Sequence, residues 1–172
     1  GQLEIREAGG RSGVAKSIAW RVRPASLLRG HIECEVELDH APKRFPVALS
    51  WSRIEIADAD INLPAAVLGL AVPKLAPLEL TGEMLVRVAN VSVGRSGMRG
   101  NATLQWRAAG SALTSVAPLG DYELRIDGEE ALVNASLRTL QGPLQLDGKG
   151  TWTYGGAPVI LATARVPPQH RE

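Results

Sequence analysis

Apolar and polar residues alternate with period two along most of this chain, the mark of strands that bury one face. The clearest case is His31-Ile32-Glu33-Cys34-Glu35-Val36-Glu37-Leu38, where every even position is apolar and nearly every odd one is charged. The pattern returns at residues 84–88, 102–107 and 121–127, and more weakly in Leu144-Gln145-Leu146. Gly or Pro stands between most of these runs, at Gly30, Gly82, Gly100, Gly128, Gly142-Pro143 and Gly148. Strands broken every ten residues or so in this way predict a meander, closed or curved. Helical signals are confined to residues 63–69 and 24–30, each with Pro near a start and Gly near a stop, and neither exceeds two turns. The expectation is an all-β fold: a strongly curved antiparallel sheet of roughly ten to twelve strands, sandwich-like or an incompletely closed barrel, with one or two short helical turns.

A faint internal repeat runs beneath the alternation. Trp20-Arg21, Leu27 and Gly30 in the first half are echoed by Trp106-Arg107, Leu113 and Gly120 in the second, each group followed by a charged amphipathic strand. The 172 residues read as a single domain, with two β-meander units over about 1–75 and 76–166 and a flexible tail at 167–172.

Composition narrows the function classes. Nineteen basic and eighteen acidic residues leave a net charge of +1, which speaks against a polybasic nucleic-acid surface. One Phe and two Tyr leave the core to aliphatic side chains, with Trp20, Trp51, Trp106 and Trp152 as its expected main aromatics rather than a recognition surface. A single cysteine, Cys34, excludes an internal disulfide and a cysteine-cage zinc site. The longest charge-free stretch, residues 150–164, falls short of the roughly 20 apolar residues of a spanning helix. The chain is expected to be an excised soluble piece of a longer protein.

Candidate chemistry is sparse. His31, His40 and His170 have no metal-ligand spacing and read as solvated surface residues. Asp58 and Asp60, two apart on an expected strand, can in principle hold a cation or share acid and base roles, although two carboxylates that keep a strand face wet explain them as well. Gly94-Arg95-Ser96-Gly97-Met98-Arg99-Gly100 has the composition of a phosphate cradle, but no helix follows it, so a long hairpin loop is expected. Glu129-Glu130 reads as a solvated turn. The sequons at Asn90, Asn101 and Asn134 carry meaning only in a secretory eukaryotic setting. No nucleophile elbow, Walker or dinucleotide pattern is present, and no catalytic, cofactor or metal residue is assigned.

One stretch has a recognisable signature. Ala102-Thr103-Leu104-Gln105-Trp106-Arg107 followed by Pro118-Leu119-Gly120-Asp121-Tyr122 resembles the type II secretion system protein N family. The segment Leu140-Gln141-Gly142-Pro143-Leu144-Gln145-Leu146-Asp147-Gly148 resembles the family's next segment, and Trp20-Arg21-Val22-Arg23-Pro24 with Leu28-Arg29-Gly30 fits its first half. The likeness covers most of residues 17–153 and is a pattern of strands and turns, so these signature residues are expected to be structural. It implies a non-enzymatic, cofactor-free periplasmic domain of an inner-membrane protein in Gram-negative bacteria. Such a protein helps export folded proteins across the outer membrane and touches other secretion proteins of the inner membrane, periplasm or secretin. It also implies an N-terminal membrane helix and a short Leu-rich continuation that this chain lacks.

Physical reasoning adds where a partner would bind. An open sheet has edge strands, and residues 2–6 and 158–166 are the candidate edges. Two other function classes remain open at this point. One is a carrier or sensor of a lipid or other apolar ligand, with residues 61–73 and 108–120 lining or lidding an apolar cleft. The other is a hydrolase using Asp58 and Asp60.

Overall fold

The structure, a computed structural model, describes residues 2–5, 16–24, 26, 30–38, 44–153 and 156–166. Eleven strands follow one another in chain order: β1 (Gln2–Ile5), β2 (Lys16–Arg23), β3 (His31–Leu38), β4 (Phe45–Ser50), β5 (Arg53–Pro64), β6 (Leu80–Gly94), β7 (Gly97–Ser111), β8 (Gly120–Glu130), β9 (Leu132–Gln141), β10 (Gln145–Thr153) and β11 (Val159–Arg165). Each pairs antiparallel with the next, giving one sheet in the order β1 to β11 that does not close into a barrel. Between β5 and β6 the chain makes a five-residue helix, α1 (Val67–Ala71), and a 3-10 turn, Pro73–Leu78. The turn expected at 24–30 lies largely outside the described residues.

The fold class is therefore as expected, with the sandwich alternative removed. Among the described residues no second sheet packs on the first; beyond adjacent strands, the more extensive contacts are those of β7 with β9 and of α1 with the 3-10 turn.

Register places the apolar positions of neighbouring strands opposite one another. Ile32 faces Leu49, Leu49 faces Ile54, Ile54 faces Val93 and Val93 faces Met98. Further along, Met84 faces Trp106, Trp106 faces Tyr122, Leu104 faces Leu124 and Leu124 faces Leu137. One face is thus apolar from strand to strand, and the charged residues of β3, β8 and β10 lie on the other. Met84 and Val133, 2% and 1% exposed, belong to the apolar face. Such burial without a second layer means that the sheet curls over this face.

Bulges produce the curl and protect the pattern. On β5 the apolar positions run Ile54 and Ile56, then Ala59, Ile61 and Leu63; the phase changes at Asp58, whose φ is 49°, with the β5–β6 register unbroken because β6 changes phase at the same level. On β6 the register shifts between Val88 and Asn90, carrying the inward set from Val88 to Val91 and Val93. On β7 it shifts between Trp106 and Ala109, where Ala108 has φ 46°. An extra residue flips side-chain parity and bends a strand, so each bulge turns the chain while keeping aliphatic side chains inward.

Four glycines expected as breaks between strands, Gly82, Gly100, Gly128 and Gly148, lie inside them instead, and two of these show why. A Cβ on Gly100 would fall 1.8 Å from the Asn90 carbonyl oxygen, and one on Gly82 2.5 Å from that of Arg107. Both glycines mark close backbone approach beside a bulge, and this is why β6 and β7 run 15 residues each without interruption. The expected long loop at 94–100 is likewise a two-residue hairpin turn, with Gly94 paired to Gly97. The four tryptophans are not a buried core: Trp51 sits 93% exposed between β4 and β5, and Trp20 is half-exposed on the apolar face. A single layer has no opposite sheet to cover them.

Candidate functional site

The signature residues of the second half converge at one end of the sheet. Leu119 donates its N–H to the Ala109 carbonyl at 2.7 Å, and its own carbonyl accepts the Leu144 N–H at 3.1 Å. The Tyr122 hydroxyl lies 3.1 Å from the Leu119 carbonyl oxygen and 3.0 Å from that of Leu144, so its single proton serves one carbonyl at a time. Burial, then the neighbouring Asp121 carboxylate, raises the Tyr122 pKa, which keeps the phenol protonated and donating. Asp121 accepts the Ala108 N–H at 2.7 Å and thereby satisfies the backbone of the β7 bulge. Trp106 donates its indole N–H to the Thr81 carbonyl at 2.9 Å, and its ring meets that of Tyr122 at 6.2 Å and 58°.

Glycine makes the approach possible: a Cβ on Gly142 would fall 2.3 Å from the Gly120 Cα. Pro118, behind a cis peptide bond from Ala117, leads the chain into Leu119, and Pro143 separates Gly142 from Leu144. Gly148 is buried on β10, with Leu137 opposite. Together Trp106, Pro118, Leu119, Gly120, Asp121, Tyr122, Gly142, Pro143 and Leu144 form a clasp that holds the β7 bulge, the following loop and the β9–β10 turn. The clasp contains no nucleophile beside a base, and every polar side-chain group just named is engaged with backbone. The first-half residues stand apart from it: Trp20 is opposite Val36, Gly30 turns into β3 with φ 75°, and Pro24 is exposed.

On the polar face a second cluster forms across three strands. Glu123, its side chain 5% exposed, accepts from Gln105 Nε2 at 3.0 Å, Arg125 Nε at 2.9 Å and Arg138 at 2.7 Å. Sequence alternation alone hides this cluster, because Gln105, Glu123 and Arg138 become neighbours only through cross-strand register. The Gln105 amide first, then Arg138 and Arg125, hold the carboxyl below its ordinary value against the opposing effect of burial. A lowered pKa stabilises the fold above the ordinary carboxylate range, and that stability is lost as pH falls through the folded value. Glu123→Gln is therefore expected to reduce the acid sensitivity of unfolding below the ordinary value of 4.5, while costing about 1 kcal/mol at neutral pH. Urea melts of both proteins across that range test this.

The other candidate groups do not converge. Asp60 pairs with Arg87 at 3.4 Å, while Asp58 has a left-handed backbone at the phase change of β5, so simple two-residue alternation does not relate them. Among the described residues no group of three His, Cys, Asp or Glu is placed to hold a metal ion. Asn tolerates the left-handed region, so Asp58→Asn with Asp60→Asn is expected to leave stability within about 0.5 kcal/mol, as urea melts would show. Arg99 of the proposed phosphate cradle is ion-paired to Glu130, and His31 Nε2 lies 2.9 Å from Glu33. His40 and His170 lie outside the described residues.

The sheet edges are of two kinds. β1 is four residues long and carries Glu4. β11 is seven residues long and all seven are exposed, with Val159, Ile160 and Leu161 between 66% and 75%. Ile160 continues the apolar face through its pairing with Gly150, and Val159 and Leu161 put apolar side chains on the face that is polar elsewhere. Three consecutive large apolar residues are the pattern of a strand covered on both sides. Among the described residues β11 is paired only with β10.

The described residues thus form an open, single-layer β-meander with a locked corner and a bare apolar edge at β11. The family model for type II secretion system (T2SS) protein N matches residues 1–172, and the protein belongs to that family. It is a type II secretion component, and the family is one of structural parts of that system. No curated protein and no solved structure matches the chain. Among the described residues no helix is long and apolar enough to cross a membrane.

Proposed function

We propose that this chain is a non-enzymatic periplasmic domain of an inner-membrane protein of Gram-negative bacteria. It assists export of folded proteins across the outer membrane by docking another secretion-system protein along β11. Membership of the protein N family supports the pathway, and the bare β11 edge is the observation that carries the docking mode. An added strand pairs its backbone with the free edge, while Val159, Ile160 and Leu161 supply apolar contact on both faces. Natural edges are usually blunted by charge or by brevity, yet β11 has no charged residue before Arg165.

The test is a deletion of the native gene, restored with full-length or anchor-less protein. Exoproteins trapped in the periplasm, released only by the anchored form, are the expected result. Normal export in the deletion strain contradicts the proposal.

A further inference from the structure

Cross-strand register gathers cations on the polar face of β8 to β10. Ser136 lies at their centre, opposite Arg125 of β8 on one side and Lys149 of β10 on the other, with Arg138 two residues further along β9. Neighbouring strands are about 4.8 Å apart and alternate residues of one strand about 7 Å, so all three cations border one hydroxyl. Glu123 lies beneath the two guanidiniums. Its carboxylate, 5% exposed, accepts the Nε–H of Arg125 and both the Nε–H and an Nη2 N–H of Arg138. A guanidinium has five N–H donors, so each fork keeps donors free, and the two side chains are 55% and 57% exposed. Lys149 and Ser136 are exposed, and among the described residues neither side chain has an ion pair or hydrogen bond. Asp147, opposite Arg138, and Asp127, two residues on from Arg125, are the other carboxylates bordering the group.

We propose that Arg125, Arg138 and Lys149 receive an acidic segment of the protein that docks along β11, a reading that deepens that docking and rests on it. The row Arg125, Ser136, Lys149 ends on Leu161 of β11, and Arg165 lies on the same face of that strand. Chain that leaves an added strand and crosses the polar face therefore meets these cations within two to four strand spacings, about 10–20 Å. Planar guanidinium forks match carboxylates, and Glu123 holds both forks in place before any ligand arrives. The backbones of Arg125 and Lys149 are two strand spacings apart, about 10 Å, which suits carboxylates on one face of an extended segment better than a single small anion. The charge of Glu123 is matched within the sheet, so the outer donors are left for the partner.

The test uses the purified chain and a fluorescein-labelled heptapeptide of alternating Asp and Ser, followed by fluorescence anisotropy at low ionic strength, where exposed charges are least screened. This peptide is expected to bind at least tenfold more tightly than the same peptide with Lys in place of Asp. Lys149→Glu, at an exposed position, is expected to weaken binding tenfold or more. Ser136→Asp plants a carboxylate among the three cations, so it should abolish binding without lowering the melting temperature. A purely structural role for these residues would not give that pair of results. No preference for the acidic peptide, or undiminished binding by Lys149→Glu or Ser136→Asp, would overturn the proposal. Equal competition by inorganic phosphate would also overturn it, by marking a site for any small anion. Displacement by phosphatidylglycerol vesicles would do the same, and would assign the cations to an anionic lipid surface. Crosslinking at Leu161 reads docking at β11 separately. That adduct without peptide binding contradicts the acidic segment alone, whereas peptide binding without the adduct contradicts docking and leaves the cation site standing.

Discussion

Gly142→Val is expected to destabilise the domain by about 3–5 kcal/mol, the largest effect of any single substitution at the clasp. Gly142 has φ 132°, and its missing Cβ leaves room for Gly120 Cα at 2.3 Å and the Leu119 carbonyl oxygen at 2.7 Å. Valine adds both backbone strain and a collision with main chain, which cannot move aside as a flexible side chain would. Tyr122→Phe removes only the shared hydrogen bond and is expected to cost about 1–2 kcal/mol, because the partly buried Leu144 carbonyl loses its donor while that of Leu119 keeps the Leu144 N–H. Urea denaturation followed by tryptophan fluorescence measures both. A Gly142→Val protein within 1 kcal/mol of the wild type, about the cost expected of Tyr122→Phe, would show that the corner is not locked as described.

The second large effect concerns export. Successive residues of an edge strand direct their N–H groups alternately inward and outward, so Leu161→Pro and Ala162→Pro act on opposite sides of β11. One removes an N–H bonded to β10; the other removes an N–H from the free edge and leaves the sheet intact. The edge-facing variant is expected to fold with an unchanged melting curve and to lose most export in a complementation assay. Leu161→Lys, which plants a charge on a 75% exposed side chain, should reproduce that loss without touching the backbone. Full export by all three folded variants would remove β11 from the docking surface.

Much of the fold was legible in alternation. Residues 31–38 predict β3 to the residue, and the runs at 84–88, 102–107 and 121–127 fall within β6, β7 and β8. Alternation failed where the phase changes. Asp58, with its left-handed backbone, and the bulges at Ala89 and Ala108 each change the phase of the pattern, and a bulge is legible only once the partner strand's register is known. For the same reason Gly82 and Gly100 look like strand breaks when they are contacts between strands. The string Pro118-Leu119-Gly120-Asp121-Tyr122 was visible as a signature, but its chemistry was not. That Asp121 answers the Ala108 N–H, and that Tyr122 reaches Leu144 across 22 residues, depend on contacts between distant segments. Layer number was hidden for a related reason: amphipathic strands specify one buried face without saying what buries it. The edges were anticipated at 2–6 and 158–166, and what alternation does not reveal is that all seven residues of β11 are exposed, on both faces.

The central claim is that a secretion-system protein adds to this domain along β11, and in-cell photo-crosslinking tests it most directly. A photoreactive phenylalanine analogue at Leu161, in a strain whose export it sustains, is expected to form an adduct with another secretion-system protein. The same analogue at Arg87, on the polar face of β6, is expected to form none. Equal adducts at both positions, an adduct only with a second copy of this chain, or no adduct at Leu161 would contradict the account.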